Sequence, residues 1–167
     1  TRLIDVESAE VKDESAEISL YLLQATQSFL LTCAEFVLCG KTNANFAIHT
    51  SIRTDEHQAF ANKIRAHLND LVHALNHGEN LTSNFQMAYD DLRQTKPDIH
   101  HFEDIFAQLC EMLEEEQFQV AVLNSKNEAS TDLTHGFNII VGRNVIGRGL
   151  TIPKLQTVYY RKTTKKP

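Results

Sequence analysis

The sequence predicts an α/β fold, a mainly parallel sheet of short buried strands with helices on both faces. Short apolar runs surround Phe46, Val120, Ile140 and Val158, and helical patterns with apolar residues three and four positions apart separate them. Continuous apolar strands that alternate with helices are typical of parallel sheets covered on both faces. The 167 residues, 42% of them hydrophobic, are enough for one core. We therefore predict a single domain over residues 1–167.

The first half of the chain predicts two long helices around one strand. Residues 1–13 are mixed and charged, and allow at most a short edge strand. An almost continuous apolar pattern over 14–38 predicts a helix, which Gly40 ends as the C′ residue. The apolar run 45–50 predicts a buried strand. A second helix is expected from Thr54, a plausible N-cap, to Gly78.

The second half predicts a helical insertion and the remaining strands. Helical patterns cover 85–92 and 102–113, separated by a break at Lys96-Pro97-Asp98. We expect an insertion over about 79–116 that packs as a separate lobe or flap, because its apolar stripes are one-sided. β-branched and aromatic runs predict three strands, at 118–123, 137–141 and 157–160.

Composition argues against a membrane or secreted protein. The longest apolar stretch, 18–38, is interrupted by Gln24, Gln27 and Glu35, which a membrane-spanning helix rarely tolerates. Cysteines occur three times, at no metal-ligand spacing. We interpret them as free, buried thiols of a reducing cytoplasm, and we expect no membrane partner.

Charge is distributed unevenly along the chain. Residues 143–167 contain seven basic residues and no acidic one. Since the whole chain has 16 basic and 22 acidic residues, residues 1–142 have 9 basic against 22 acidic residues, a formal charge of −13. The formal net charge of −6 for the whole chain thus conceals a basic C-terminal segment. Such a segment is suited to contact nucleic acid or an acidic protein.

The residues most informative about function are 137–160, FNIIVGRNVIGRGLTIPKLQTVYY. A buried strand leads into Gly142-Arg143-Asn144 and then Gly147-Arg148-Gly149. Glycines beside an arginine, past the carboxyl end of a parallel strand, let backbone N–H groups approach an anion. An isolated Gly-Arg-Gly is more often an ordinary turn with a solvated arginine. The choice between such a turn and an anion-binding segment therefore depends on the surrounding sequence.

The wider sequence resembles a known family. Residues 142–151, GRNVIGRGLT, are similar to the core motif of the Z1 domain, found in proteins classed as ATP-dependent endonucleases. The segment also resembles motif V in the second RecA-like domain of superfamily two helicases, and the run FAIHTS at 46–51 is similar to a family strand ending in His-x-Ser. Gly147 departs from the pattern, which more often has serine. The resemblance implies a RecA-like, P-loop-NTPase-like fold.

The resemblance also implies roles for individual residues. Arg148 is expected at the turn that couples nucleic acid to nucleotide, as a catalytic contact to phosphate. Gly149 and Thr151 are expected to bind nucleotide, although many helicases have an aspartate at the position of Thr151. The nucleic-acid side of the cleft is expected to include His49, Ser51, Arg143, Asn144 and Gly147.

The implied function is that of a motor-domain fragment. The full-length protein would be a helicase-like, DNA-dependent ATPase associated with an endonuclease or a restriction-modification defence system in the prokaryotic cytoplasm. It would use ATP and Mg²⁺, and its partners would be DNA, a first motor domain in the same polypeptide, and a nuclease or methyltransferase. This fragment would hold no cofactor and be inactive alone. The alternative is a non-catalytic α/β module that binds nucleic acid or protein through its basic C-terminal segment.

Other motif-like patterns favour structural interpretations. Gly40-Lys41-Thr42 matches the end of a P-loop, but Glu35 occupies the position of the first glycine. His73 and His77 have zinc-ligand spacing without the catalytic glutamate. The run 100–104, HHFED, could bind a cation, yet acidic residues are also favourable in a helix's first turn. We therefore expect no metal site.

Overall fold

The computed structural model describes residues 2–7, 19–50, 54–124, 126, 130–143 and 152–162. Their helices and strands occur in the order β1 (Arg2–Glu7), α1 (Leu20–Leu38), β2 (Asn43–Thr50), α2 (Thr54–Asn76), α3 (Thr82–Thr95), α4 (Phe102–Glu114), β3 (Phe118–Leu123), β4 (Gly136–Gly142) and β5 (Leu155–Lys162). The predicted start of the first helix, before Ser19, lies outside the described residues. No helix within these ranges is long and apolar enough to cross a bilayer.

The strands form one five-stranded sheet in the order β1-β5-β2-β4-β3, and every pairing is parallel. The prediction that the runs near Phe46, Val120, Ile140 and Val158 share one parallel sheet is confirmed. β1, for which the sequence allowed only a short edge strand, pairs with β5 at one edge. β2 lies at the centre, between β5 and β4. It is buried along almost its whole length because side chains pack on both of its faces.

One face of the sheet carries the main core. Phe46 and Ile48 of β2 and Ile139 and Val141 of β4 are fully buried in one cluster with residues of all four helices. α1 packs its Phe29 ring against Phe46, with ring centroids 5.4 Å apart. Alternate residues of a strand point to one face, so these side chains form a continuous apolar surface on which the helices pack.

The prediction of helices on both faces is wrong for the described part of the chain. On the other face Ala47, Leu123, Leu133 and Ile140 form a second, smaller cluster, packed by Ile152 and Leu155. Leu133 and Ile152 belong to irregular segments, and Leu155 begins β5, so no described helix contributes to this cluster. Ala47 and Ile140 are nevertheless fully buried. Within the described residues, irregular segments and strand residues pack on this face, where a second helical layer was expected.

The helical segment α3–α4 is part of the main core instead of a separate lobe. Phe85 of α3 and Ile105, Leu109 and Met112 of α4 are almost completely buried in the cluster that contains α1 and the sheet. The acidic residues Glu103, Asp104 and Glu111 are exposed, as the one-sided pattern predicted. The pattern identified the buried side of each helix correctly. That side packs into the main core, and the two helices do not form a separate lobe.

Glycines end the first two helices as predicted. Gly40 and Gly78 have positive φ angles of 77° and 70°, which is the left-handed conformation of a C′ residue. After α1, the N–H of Lys41 donates to the carbonyl of Phe36 at 2.8 Å and the N–H of Gly40 to that of Val37 at 3.0 Å. These two bonds define a Schellman motif, which turns the chain directly from α1 into β2.

Asparagines organise the amino edge of the sheet. The buried side-chain amide of Asn45 donates to the carbonyls of Leu133, at 2.8 Å, and Pro153, and its oxygen accepts a 2.9 Å hydrogen bond from Asn138. Asn43 also donates to the carbonyl of Leu133, at 3.0 Å. These bonds hold the segments that precede β4 and β5, so the asparagines at this edge have a structural role.

Candidate functional site at the carboxyl edge of the sheet

Because all five strands are parallel, their carboxyl ends lie along one edge of the sheet. His49, near the end of β2, is paired in register with Gly142 of β4 on one side and with Tyr160 of β5 on the other. Thr50 is paired with Arg161. Open parallel sheets bind their ligands outside this edge. The register therefore brings the end of the predicted strand 45–50 beside the start of the segment 142–151.

His49 is the best-defined polar side chain at this edge. It is 5% exposed, and its ring is stacked on that of Tyr160, with centroids 4.3 Å apart and planes 1° from parallel. It lies on the same face as Ala47, opposite the helical layer. Burial lowers the pKa of His49, and the nearby His57 of α2 lowers it further. The ring is therefore held neutral at pH 7, able to donate from one nitrogen and accept at the other.

Two adjacent residues at the end of β2 carry buried polar atoms without a hydrogen-bond partner among the described residues. These atoms are Nδ1 of His49 and Oγ1 of Thr50. Thr50 is 1% exposed. Most buried polar atoms in native proteins are paired, and an unpaired one calls for a physical reason. Two in succession at the carboxyl edge mark a place where a polar ligand could bind.

Arg143 adds a cation to this edge. It follows β4 directly and is exposed, one residue beyond the Gly142 that pairs with His49. A guanidinium presents several N–H donors in a planar fork and remains charged at any physiological pH, so it suits phosphate or carboxylate ligands. The backbone of Arg161 and Lys162 ends β5 at the same edge. Among the described side chains the edge thus has one cation, Arg143, and the neutral polar groups of His49 and Thr50, and the backbone of Glu7 ends β1 beside Lys162 at the same edge.

Of the predicted site residues, the structure describes His49 and Arg143, which lie on neighbouring strands, Arg143 being one residue beyond the Gly142 that pairs with His49. The others, Ser51, Asn144, Gly147, Arg148, Gly149 and Thr151, lie outside the described residues. Their roles stay predictions from the resemblance. The sequence analysis missed Thr50, Tyr160 and His57, which the register and the fold of α2 bring to His49. Only strand pairing could have revealed Tyr160, since 111 positions separate it from His49 in the sequence.

The motif-like patterns elsewhere have local roles. Gly40-Lys41-Thr42 follows a helix, and Lys41 lies over the Phe36 ring at 4.4 Å from the centroid. His73 and His77 are exposed and stack on each other with centroids 4.1 Å apart. A ring nitrogen of His77 is 2.8 Å from the carbonyl of His73. Neither pattern contributes to the carboxyl edge.

The fold is therefore that of an α/β protein with an all-parallel sheet, at whose carboxyl edge His49, Thr50 and Arg143 lie. The family model of the Z1 domain matches residues 21–166, and the chain belongs to the Z1 domain family. The match includes β2, β3, β4 and β5 and, apart from Leu20, all four helices. No curated protein and no solved structure matches the chain.

Proposed function

We propose that this chain is the second, RecA-like motor domain of a helicase-like, DNA-dependent ATPase, and that its carboxyl edge contacts nucleic-acid phosphate. The observation that carries the proposal is the pairing of His49 with Gly142. This pairing brings a buried histidine and an exposed arginine to the start of the Z1-like segment 142–151. Membership of the Z1 domain family supports the same interpretation.

The chemistry of the edge suits a phosphate better than a metal ion. Arg143 supplies a positive charge, and the unpaired atoms of His49 and Thr50 supply donors or acceptors at a place where burial strengthens each polar contact. Phosphate contacts from arginine position a protein on DNA without reading its sequence. We therefore propose a backbone contact, not base recognition.

The proposed ATP site lies between this chain and the first motor domain of the same polypeptide. Arg148, Gly149 and Thr151 would form this chain's side of it, as the resemblance implies, and the Mg²⁺ ligands would belong to the other domain. Positioned cations and amides are how such enzymes assist phosphoryl transfer. The link to an endonuclease or a restriction-modification system rests on the family resemblance alone.

DNA binding by the chain tests the contact. Arg143→Gln should weaken the binding of labelled DNA, measured by fluorescence anisotropy, by roughly threefold or more and reduce the slope of log affinity against log salt by about one. Lys154→Gln is the matched control, because Lys154 is also exposed and precedes β5 at the amino edge. Equal losses in the two variants would show that only overall charge matters and would contradict the proposed site.

Hydrolysis by the full-length protein tests the motor assignment. Arg148→Ala should lower DNA-stimulated ATP hydrolysis by roughly ten- to a hundredfold, the worth of a lost charge-assisted contact in the transition state. Melting temperatures measured on the same preparations separate this loss from unfolding. DNA binding by a full-length protein that never hydrolyses ATP would instead favour the non-catalytic binding module.

A further inference from the structure

Three potential metal ligands meet where α1 ends, on the helical side of the molecule. Glu35 and Cys39 are one turn apart at the end of α1, and His100 precedes α4. One ligand atom from each residue lies within 4.8 Å of the other two. Oε2 of Glu35 is 2.8 Å from Nδ1 of His100, and Sγ of Cys39 is 3.5 Å from Oε1 of Glu35. Both carboxylate oxygens are therefore engaged within the cluster.

Hydrogen bonds hold the side chain of Glu35 and the backbones of Cys39 and His100 in place. Glu35 is buried, 6% exposed, and also accepts from the backbone N–H of His100 at 3.3 Å. The carbonyl of His100 accepts a 2.9 Å hydrogen bond from the Tyr89 hydroxyl. Cys39 is the C-cap of α1, and its backbone N–H remains bonded to the last turn of the helix. Ligands fixed on rigid elements lose little entropy when a metal binds.

The prediction that all three cysteines are buried is wrong for Cys39. Cys33 is buried, Cys110 is intermediate and Cys39 is exposed. His100 has a side chain 43% exposed, whereas that of Glu35 is only 8% exposed. Glu35 also lines a cleft of about 500 Å³ between α1, α3 and the start of β5. A cation in solution can thus reach a buried carboxylate that has a thiol and an imidazole beside it.

We propose that Glu35, Cys39 and His100 form a binding site for a zinc-like divalent cation. Zinc is bound by thiolate, imidazole and carboxylate at ~2.0–2.3 Å in tetrahedral geometry, which separates ligand atoms by roughly 3.3–3.6 Å. Sγ of Cys39 lies at such a distance, 3.5 Å, from Oε1 of Glu35, whereas His100 contacts the other oxygen, Oε2, so the carboxylate has to turn for one oxygen to bind the metal. The Glu35–His100 contact has to open slightly as the hydrogen bond is exchanged for two metal bonds. A water molecule would occupy the fourth position.

The metal would tie the α3–α4 segment to α1. Cys39 binds a metal as its thiolate, so it must lose its proton to bind. Thiolate formation on binding releases a proton, so affinity should increase with pH. The soft sulfur ligand favours zinc over magnesium or calcium, which prefer oxygen ligands. This site is distant from the carboxyl-edge proposal and does not depend on it.

Cobalt(II) is the probe of choice because it replaces zinc and gives a thiolate-to-metal charge-transfer band when sulfur binds. The chain, freed of metal and kept reduced, should give this band with one equivalent of Co²⁺, and Zn²⁺ should displace it. Cys39→Ser should abolish the band and weaken Zn²⁺ binding in calorimetry by at least about tenfold. Cys110→Ser is the matched control and should leave both unchanged. Zn²⁺ should also raise the melting temperature of the wild-type chain.

The proposal fails if the wild-type chain gives no thiolate band, or if Cys39→Ser keeps the band and the wild-type affinity. Cys39 is exposed, so its serine variant should fold, which circular dichroism will verify. Glu35→Gln gives a second test, because glutamine is nearly isosteric with glutamate but is a much poorer metal ligand. Unchanged Zn²⁺ affinity in folded Glu35→Gln would equally overturn the site.

Discussion

The imidazole ring of His49 lies parallel to the phenol ring of Tyr160, with 4.3 Å between centroids, where β2 and β5 approach their carboxyl ends. The two residues are direct partners in the parallel ladder, so the ring contact adds to the backbone pairing. Stacked rings lose little conformational freedom on packing, since each side chain has only two torsions. The contact thus stiffens the edge at which we propose ligand binding.

A double-mutant cycle should detect this stacking. His49→Ala and Tyr160→Ala should each destabilise the fold, and the double variant should lose less than the sum by roughly 0.5–1.5 kcal/mol, because the ring contact is lost only once. Urea denaturation of the four proteins measures the coupling. Tyr160→Phe should retain it, since the ring remains. Additive losses would show that the rings lie together without attraction.

Acidification should destabilise the fold through His49. Its pKa in the folded chain is lowered by burial, with a further contribution from His57, whereas an unfolded histidine titrates near ~6.5. The unfolded chain therefore binds more protons in this range. The stability is fully present above about pH 6.5 and falls as the pH drops below it, by at most ~1.4 kcal/mol per pH unit for one histidine. Urea denaturation at several pH values measures the slope.

His49→Gln provides the control for this pH dependence. Glutamine does not titrate, so the variant should lose less stability between neutral pH and pH 5.5 than the wild type. His67, whose pKa is also lowered, by burial, should still contribute. A slope identical to that of the wild type would mean that His49 does not cause the dependence.

Truncation of Phe85 should show that α3 belongs to the main core. The side chain is fully buried and its ring centroid is 5.9 Å from that of Phe106 in α4. Phe85→Ala should cost about 3–5 kcal/mol, the usual range for a buried phenylalanine. Met87→Ala, on the same helix but 72% exposed, should change the stability by less than about 0.5 kcal/mol. Two separate unfolding transitions would instead indicate an independent lobe.

Removal of the Asn45 amide should destabilise the amino edge. Asn45→Ala leaves the carbonyl groups of Leu133 and Pro153 and the Asn138 amide without this partner. A buried polar group that loses its partner costs about 1–3 kcal/mol. Asn69→Ala, at an exposed position of α2, is the control. A loss at Asn45 no larger than at Asn69 would show that water replaces the amide.

The sequence predicted the strands well because their apolar runs are short and bounded by polar residues. The run 118–123 coincides with β3, and β4 and β5 extend the predicted runs by one or two residues at each end. The one-sided helical layer could not be predicted in this way. A strand such as β2 reads as continuously apolar whether helices or irregular chain cover it, and only the side-chain clusters separate the two faces.

The candidate sites depend on contacts between distant parts of the chain. Asn45 and Asn138 lie inside predicted strands and Asn43 just before one, and nothing in the sequence shows that their side chains bond across the amino edge. Glu35 and Cys39 have the four-residue spacing of neighbours on a helix, but nothing in the sequence brings His100 to them. The Z1-like segment 142–151 could be recognised from the sequence because its residues are contiguous.

The burial of α3 and α4 against α1 limits how this domain can be recombined with its relatives. α1 precedes β2 and the two later helices follow α2, so the surfaces that must match are encoded far apart. A chimera that exchanged residues 79–116 alone would place foreign side chains against Leu31, Ala34 and the other buried residues of α1. Overpacking or cavities where α1 contacts α3 and α4 would destabilise the chimera. A stable chimera should therefore require that α1, α3 and α4 are exchanged together.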